Sequence, residues 1–326
     1  MNKYEEILSA FHDVTVGVIG DVAADVYIMG YPDRLSREAP VIVVRYEGER
    51  LIPGCAANTM NNLLAMGCTV YPVSIVGDDE HGRKLIDCFR NRMDLEGMIH
   101  VKDFNTVSKT RIMVGEPNRT RQQMIRIDYE LDRAPPDHIE ADILDVLEKI
   151  DPKVDAWLVS DYNYHVITPA VADRLTALAA SKPVVVDSRF RSGLFKGVRC
   201  MTPNEGEAKD LAGISSSQKP NIEQIGWKLM KELDPESLII TRGNNGMMVF
   251  ERNGALTHIS TVGDDEVVDV SGAGDTVAAT ITASLVAGAD TADAARIASC
   301  AAGVVVMKTG AATCTVEEIK AKLPLL

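Results

Sequence analysis

The sequence has little of what marks several specialised classes of protein. Only 5% of its 326 residues are aromatic, and it carries a net charge of −13 with no basic block. Nucleic-acid binders cluster lysine and arginine, so a nucleic-acid partner is disfavoured. No apolar run reaches the roughly 20 residues of a membrane span, and residues 1–10 lack the apolar core of a signal peptide. We therefore expect a cytoplasmic protein with no membrane partner.

Cysteine pairs and two nucleotide-binding motifs are also missing. The six cysteines form no Cys-x-x-Cys pair, which argues against a zinc site and favours reduced thiols. No Gly-x-x-x-x-Gly-Lys-Ser/Thr loop occurs, so the sequence does not fit a P-loop kinase. The first predicted strand continues into Gly-Asp-Val-Ala at 20–23, which is not the dinucleotide-binding turn. A nicotinamide-dependent oxidoreductase is therefore disfavoured.

Short β-branched runs alternate with longer stretches of helical period along the chain. The predicted central strands cover 14–19, 70–76, 156–160, 184–187 and 238–241. The predicted helices cover 56–67, 80–93, 137–149, 168–180, 221–234, 275–288 and 291–308. This alternation is typical of βαβ units. It predicts an α/β fold over residues 1–326, built on a doubly wound, mostly parallel sheet.

Two stretches interrupt the alternation, at about 27–50 and 101–130. They contain predicted strands at 41–46, 110–114 and 124–128 with no helices between them. Consecutive strands outside a βαβ rhythm indicate a small separate sheet. Because both stretches leave and re-enter the α/β core, we expect a discontinuous β-sheet lid, and lids commonly close active sites against water.

A glycine-rich turn at 272–274 is the strongest chemical signal. A strand-like run at 266–269 leads into Ser-Gly-Ala-Gly, and Asp275 then opens an apolar helical stretch. Free N–H groups at a helix start favour an anion. A carboxylate held there could accept a hydroxyl proton during phosphoryl transfer. Taken alone, the same residues also fit a tight turn with Asp275 as a cap.

Together these motifs resemble the ribokinase, or PfkB, family of carbohydrate kinases over essentially the whole chain. The family's C-terminal signature is matched by residues 269–275, and its N-terminal one largely by residues 54–58, with Cys55 where members usually carry glycine. The resemblance implies a ribokinase-like fold and transfer of the γ-phosphoryl group of ATP to a sugar hydroxyl. It implies that Asp275 is the catalytic base and that the backbone of Gly272, Ala273 and Gly274 forms an anion hole.

The resemblance also implies where ATP and cations bind. Asn204 and Glu207 would organise Mg²⁺ through water, although a capping box explains this pair equally well. The other expected ATP contacts are Thr241, Gly243, Gly246 and Ala302. A monovalent cation such as K⁺ would lie at the loops containing Asp269, Ser271, Val305, Lys308 and Gly310.

The sugar is expected between the first half of the sheet and the lid. Asp25, Gly54 and Asn58 match family positions on the sugar side, with helix capping as the alternative role of Asn58. The lid segments resemble those of D-glycero-β-D-manno-heptose 7-phosphate kinases. That resemblance adds these substrate-binding candidates: Arg34, Glu38, Lys109, Arg111, Arg126 and Asp187. Their cations suit a phosphorylated acceptor, but they also fit solvated charges on edge strands.

The acceptor and the catalytic activity stay open at the level of sequence. The acceptor could be another sugar, a sugar phosphate or a nucleoside, and the chain could be a non-catalytic sugar-binding regulator. Bifunctional relatives continue into a nucleotidyltransferase domain, whereas this chain ends at Leu326. We therefore expect a separate kinase. We also expect a homodimer formed through the lid, because the exposed edges of a small sheet need to be covered.

Overall fold

Strands and helices alternate as predicted in the computed structural model, which describes residues 2–116, 121–130, 134–214, 221–263 and 267–326. The strands are β1 Thr15–Gly20, β2 Val22–Leu35, β3 Ile42–Cys55, β4 Thr69–Gly77, β5 Met98–Val101, β6 Ser108–Val114, β7 Gln122–Tyr129, β8 Ala156–Asp161, β9 Val184–Ser188, β10 Cys200–Met201, β11 Ser237–Thr241, β12 Met247–Glu251 and β13 Leu256–Ile259. The α-helices are α1 Lys3–Ser9, α2 Ala56–Ala65, α3 Glu80–Phe89, α4 His138–Ile150, α5 Pro169–Leu178, α6 Glu205–Leu211, α7 Ile222–Leu233, α8 Ala273–Val286, α9 Thr291–Val305 and α10 Val316–Lys322.

The main sheet runs through the centre of the molecule. In the described part of the chain its order is β13-β12-β11-β10-β9-β8-β1-β4-β5. All neighbouring pairs from β11 to β5 are parallel, while β12 is antiparallel to both of its neighbours. The carboxyl ends of the parallel strands therefore share one edge, where ligands of open α/β sheets bind.

Each face of the main sheet packs against helices. In β1, Val16 and Val18 join the cluster that contains α2, α8 and α9, whereas Ile19 joins the cluster that contains α4, α5 and α7. Gly17 leaves room for the Trp157 ring, because an added Cβ would lie 2.6 Å from it. The predicted α/β fold with a doubly wound, mostly parallel sheet is confirmed.

A separate small sheet is formed by β2, β3, β6 and β7. Its order is β3-β2-β6-β7, in which β2 and β6 are parallel and the other pairs antiparallel. β2 and β3 are longer than the sequence suggested, since both extend to the edge of the main sheet at Val22 and Cys55. Of the second predicted lid stretch, residues 117–120 lie outside the described residues.

Two details of the glycine-rich region differ from the prediction. Helix α8 begins at Ala273, not at Asp275. Of the predicted strand at 266–269, residue 266 lies outside the described residues and 267–269 form no strand. The N–H groups of Val268 and Asp269 instead both donate to the Val306 carbonyl, just past α9, so this segment bonds to a helix end and not to a neighbouring strand.

Searched over the described ranges, the chain contains no helix long and apolar enough to cross a membrane. All six cysteines are described, and each is a free thiol.

Candidate active site

The glycine-rich turn lies against α2 at the edge of the main sheet. Gly272 has a φ of 77°, and a Cβ there would collide with Asn58 Nδ2. Only glycine therefore fits between the turn and α2. Ala273 N–H donates to Val270 O (3.2 Å). Of the predicted anion-hole residues, Ala273 thus has its N–H engaged, whereas the N–H of Gly274 has no partner among the described residues.

Asp275 is buried and receives three hydrogen bonds. Asn58 Nδ2 donates to Oδ2 at 2.8 Å, while Thr59 Oγ1 and the Tyr162 hydroxyl donate to Oδ1 at 3.0 and 2.8 Å. Burial raises the pKa of Asp275 to about 6, although these three donors act in the opposite direction. The carboxylate is therefore ionised near neutral pH and basic enough to accept a proton.

An open cavity of about 570 Å³ lies on the small-sheet side of Asp275. It is bounded by the small sheet and by the loops that follow β8 and β9. Its lining residues are Lys109, Arg111, Arg126, Asp128, Glu130, Tyr162, Asn163, Tyr164, His165, Arg189 and Phe190. Three of the predicted substrate-binding cations, Lys109, Arg111 and Arg126, are thus brought together. We call this space the acceptor cavity.

Asp25 lies beside this cavity in a fixed, charge-paired position. Its carboxylate accepts a 2.7 Å hydrogen bond from Arg111, whose guanidinium also stacks over the Tyr27 ring at 5.2 Å. A Cβ at Gly54 would lie 2.7 Å from Asp25 Oδ2, so glycine is required for the two strands to meet here. Sequence analysis had placed Asp25, Gly54 and Arg111 on the sugar side, and the structure puts them in contact.

Lys109 is surrounded by aromatic rings and a thiol. Its ammonium lies over the rings of Tyr162 and Tyr164 at 5.5 and 5.7 Å, and 3.5 Å from Cys55 Sγ. Cys55 has a φ of 56°, in the left-handed region that favours glycine. This positive φ explains why members of the ribokinase family usually carry glycine at this position. Cysteine here carries backbone strain of roughly 1 kcal/mol or more.

A second group of carboxylates lies beneath the carboxyl ends of β9 and β10. Burial, followed by the charges of Glu207 and Asp275, raises the pKa of Asp187 to about 8, although Thr202 Oγ1 donates to it at 3.1 Å. Burial also raises the pKa of Glu207. Asn204 and Glu207 form a reciprocal capping box at the start of α6, with distances of 3.0 and 2.9 Å.

The capping box leaves part of both side chains available. Each uses one oxygen, so the Asn204 NH2 group remains to donate to water, and the second Glu207 oxygen remains for water or a cation. Among the described residues, no three His, Cys, Asp or Glu side chains are arranged to hold a metal directly. The arrangement fits Mg²⁺ that keeps its water shell, because two carboxylates with raised pKa values would be relieved by a nearby cation.

A second cavity, of about 340 Å³, lies on the other side of the glycine-rich turn. Four of the predicted ATP contacts line it: Thr241, Gly243, Gly246 and Ala302. Apolar side chains also line it, among them Val262, Val267, Val270, Val277 and Met307. Ala273 and Gly274 also line it, so this nucleotide cavity reaches the turn that carries Asp275. Asn204 and Glu207 lie outside its lining.

The loops predicted to hold a monovalent cation are joined by Asp269. Its two carboxylate oxygens accept from the N–H groups of Ser271 and Gly310 at 2.9 and 2.8 Å. Partial burial raises the pKa of Asp269, but these hydrogen bonds outweigh it and the pKa is lowered. Val305 O accepts from Lys308 N, and the Lys308 ammonium donates to Thr313 O. Lys308 can thus contribute only its backbone.

Two predicted substrate contacts are not brought to the site. Arg34 lies near the end of β2, nine residues beyond Asp25, and Glu38 lies in the exposed connection after that strand. At about 3.3 Å per residue, about 30 Å of strand separates Arg34 from Asp25. A single small acceptor cannot touch both within one chain.

Several cavity residues were missed by sequence reasoning. Thr59 contacts Asp275, while Tyr164, His165, Arg189 and Phe190 line the acceptor cavity. A signal existed for Arg189, because it follows a predicted strand whose carboxyl end faces the same edge as the other site residues. Nothing in the sequence pairs Tyr162 with Asp275.

Solved sugar kinases have the same fold. Escherichia coli phosphofructokinase-2 in complex with potassium gives a TM-score of 0.75 at 13% identity, with 95% of this chain and 97% of that chain covered. Arabidopsis thaliana ribokinase complexed with ribose and ATP gives 0.69 at 20% identity, covering 96% and 98%. At such identities the likeness shows the fold, which is ribokinase-like.

Relatives found by sequence are more similar. The bifunctional protein HldE of Trichlorobacter lovleyi is 38% identical over 312 residues, which are 94% of this chain and 62% of the relative. HldE of Geobacter sulfurreducens is 39% identical over 311 residues with the same coverage. The chain therefore spans less than two thirds of the length of these curated relatives.

The model of the pfkB family carbohydrate kinases matches residues 16–318. Family and fold together define a phosphotransferase that uses an alcohol group as acceptor. The chain belongs to the pfkB family, and it is a sugar kinase. The family and fold expected from the sequence are confirmed.

Proposed function

We propose that this kinase transfers the γ-phosphoryl group of ATP to the anomeric hydroxyl of D-glycero-β-D-manno-heptose 7-phosphate. The observation that carries the proposal is the acceptor cavity, which is lined by cations and by Tyr162, whose hydroxyl donates to Asp275. Two of those cations, Lys109 and Arg189, form no ion pair with any described residue. They are available to a phosphate, whereas Arg111 and Arg126 are already paired with Asp25 and Asp128. The choice of heptose rests on the resemblance of the small-sheet segments to heptose 7-phosphate kinases.

In this proposal Asp275 accepts the proton of the attacking hydroxyl. The O–H bond breaks, its electron pair forms the new bond to phosphorus, and the bond from phosphorus to the ADP oxygen breaks. ATP would supply the phosphoryl group, and the Mg²⁺ bound with it would neutralise part of the phosphate charge. The unpartnered N–H groups at the start of α8, including that of Gly274, face the charge that develops during transfer. Asn204 and Glu207 would hold the water shell of the Mg²⁺.

The small sheet acts as a lid in the proposed mechanism. Tyr164 donates to Glu130 at 3.0 Å, and the rings of Tyr162 and Tyr164 support Lys109. These contacts join the small sheet to the loop after β8. They would exclude water from the acceptor cavity while the phosphoryl group moves.

An ADP-release screen over sugars tests the substrate. The panel contains the heptose 7-phosphate, the same heptose without phosphate, fructose 6-phosphate, ribose and adenosine. We expect turnover to be highest with the heptose 7-phosphate. We extend the proposal to K⁺ bound at the Asp269 loops, so the screen is run with K⁺ and with choline in its place.

The variant Arg189→Gln tests the proposed phosphate contact, and Arg174→Gln is its control. Loss of a charge-assisted hydrogen bond to phosphate should raise KM for the sugar phosphate by roughly tenfold or more. Arg174→Gln removes an equally charged residue that pairs with Glu148 on the surface, and should leave KM unchanged. Turnover confined to an unphosphorylated sugar, or an unchanged KM in Arg189→Gln, would contradict the proposed phosphate contact.

We also propose that the kinase forms a homodimer through the outer face of the small sheet. Ile125 and Ile127 pair across strands with Ile112 and Thr110, on the face opposite Lys109 and Arg111. Their side chains are 55% and 40% exposed. Other large exposed apolar residues of this sheet and its connections are Leu35, Val41, Ile42, Tyr46, Met124 and Tyr129. Exposed apolar side chains concentrated on one small sheet favour a partner.

The dimer is tested by light scattering at micromolar concentration. Wild type should have twice the chain mass, and the double variant Ile125→Lys, Ile127→Lys should have the mass of one chain. Leu256→Lys changes a comparably exposed residue of the main sheet and should remain dimeric. A monomeric wild-type protein would refute the dimer.

A further inference from the structure

Tyr162 contacts the carboxylate that the proposed mechanism uses as base. It follows β8 and is half-buried at the acceptor cavity, and its hydroxyl donates to Asp275 Oδ1 at 2.8 Å. Burial and the charge of Asp275 raise the pKa of Tyr162 well above its ordinary value. The phenol therefore keeps its proton throughout the working pH range and acts only as a donor to Asp275.

The position of Tyr162 is fixed independently of Asp275. Its N–H donates to Asp21 Oδ2 at 2.8 Å, and the same carboxylate accepts from Tyr164 N and Val166 N, each at 3.0 Å. Asp21 is itself 1% exposed. The ring also lies under the Lys109 ammonium. The backbone and the ring of Tyr162 are therefore both held before any substrate binds.

The three donors divide unequally between the two oxygens of Asp275. Oδ1 accepts from Thr59 and Tyr162, whereas Oδ2 accepts from Asn58 alone. A carboxylate oxygen has two lone pairs, so Oδ1 is saturated and Oδ2 retains one acceptor position. We propose that Tyr162 is a positioning residue that holds Asp275 so that Oδ2 faces the acceptor hydroxyl. This inference rests on the proposed role of Asp275 as base.

The hydrogen bond from Tyr162 also affects the ionisation of Asp275. The titratable groups around Asp275 are Asp25 from β2, Cys55 from the end of β3, Tyr162 after β8 and Asp187 in β9. Burial and the neighbouring Asp25 raise its pKa, while Tyr162 lowers it. Without the phenol, Asp275 should ionise only at higher pH, and the acid limb of the kcat profile should shift upward.

Tyr162→Phe tests this role because it keeps the ring that supports Lys109. We expect kcat at pH 7 to fall roughly tenfold or more, since a hydrogen bond to a charged group is lost. KM for the acceptor should change little. The midpoint of the acid limb should rise by about one pH unit, and the ¹³C carboxyl titration of Asp275 in the free enzyme should shift in the same direction.

Tyr164→Phe is the matched control. It removes a phenol that also lies beside Lys109 but donates to Glu130, so the Asp275 titration should keep its wild-type midpoint. An unchanged kcat and an unchanged titration in Tyr162→Phe would overturn the inference. The variant Asp275→Asn distinguishes the base role of Asp275 from the positioning role of Tyr162. If Asp275→Asn is fully active, the base assignment fails. If it is inactive while Tyr162→Phe behaves as wild type, only the positioning role fails.

Discussion

Replacing Asp275 by asparagine should lower kcat by roughly a thousandfold or more while leaving the dissociation constant for ATP nearly unchanged. The amide cannot accept the hydroxyl proton. The nucleotide cavity is lined by other residues, so ATP binding does not need the carboxylate. Single-turnover kinetics and a direct binding assay for ATP separate the two quantities. The remaining activity should also lose the acid limb near pH 6, because the group that titrates there is gone.

The matched control for this variant is Asp293→Asn. Asp293 is also buried, but it lies in the first turn of α9 and contacts Tyr4 and Arg296, and it lines neither cavity. It should retain kcat. A loss below tenfold in Asp275→Asn would refute the base assignment and favour a structural role, in which the carboxylate only joins α8 to Asn58, Thr59 and Tyr162.

The sequence predicted the parts of the fold that depend on local pattern. The strands of the main sheet are apolar over most of their length, because helices cover both faces, and the helices carry a clear apolar period. The lengths of β2 and β3 were not predictable in this way. They cross from the edge of the main sheet into the small sheet, where each face has different neighbours, so no single period marks them.

The site was predictable where a residue type is required by the backbone. Gly272 and Gly54 allow close approaches that only glycine permits, and such positions leave a sequence motif. Contacts between distant side chains leave none. The hydrogen bond from Tyr162 to Asp275 joins residues 113 positions apart, and Arg189 reaches the acceptor cavity only because β8 and β9 are neighbours. Arg34 was predicted from its charge, which suits a phosphate, but the length of β2 places it far from the acceptor cavity.

Asp21→Ala should lower the free energy of unfolding by about 3 kcal/mol or more at pH 5, because one buried and two partly buried N–H groups lose their acceptor. The loop after β8 would lose its anchor, and Tyr162 would no longer be held against Asp275. We therefore expect kcat to fall together with stability. Asp155→Ala removes a carboxylate that accepts a single N–H, from Thr15, at the surface. It should cost less than about 1 kcal/mol and leave kcat unchanged.

The effect of Asp21 should also depend on pH in a defined direction. Burial and the charge of Asp161 raise its pKa to about 6 in the folded protein, above the ordinary value of 3.8. A raised pKa means that the folded state binds the proton more tightly than the unfolded state. The stabilisation from this proton is complete below about pH 4 and is lost as the pH rises through about 6. Urea denaturation should thus show a larger difference between wild type and Asp21→Ala at pH 5 than at pH 8. A difference that grows toward pH 8 would mean that the ionised carboxylate, and not the protonated one, is the form the fold favours.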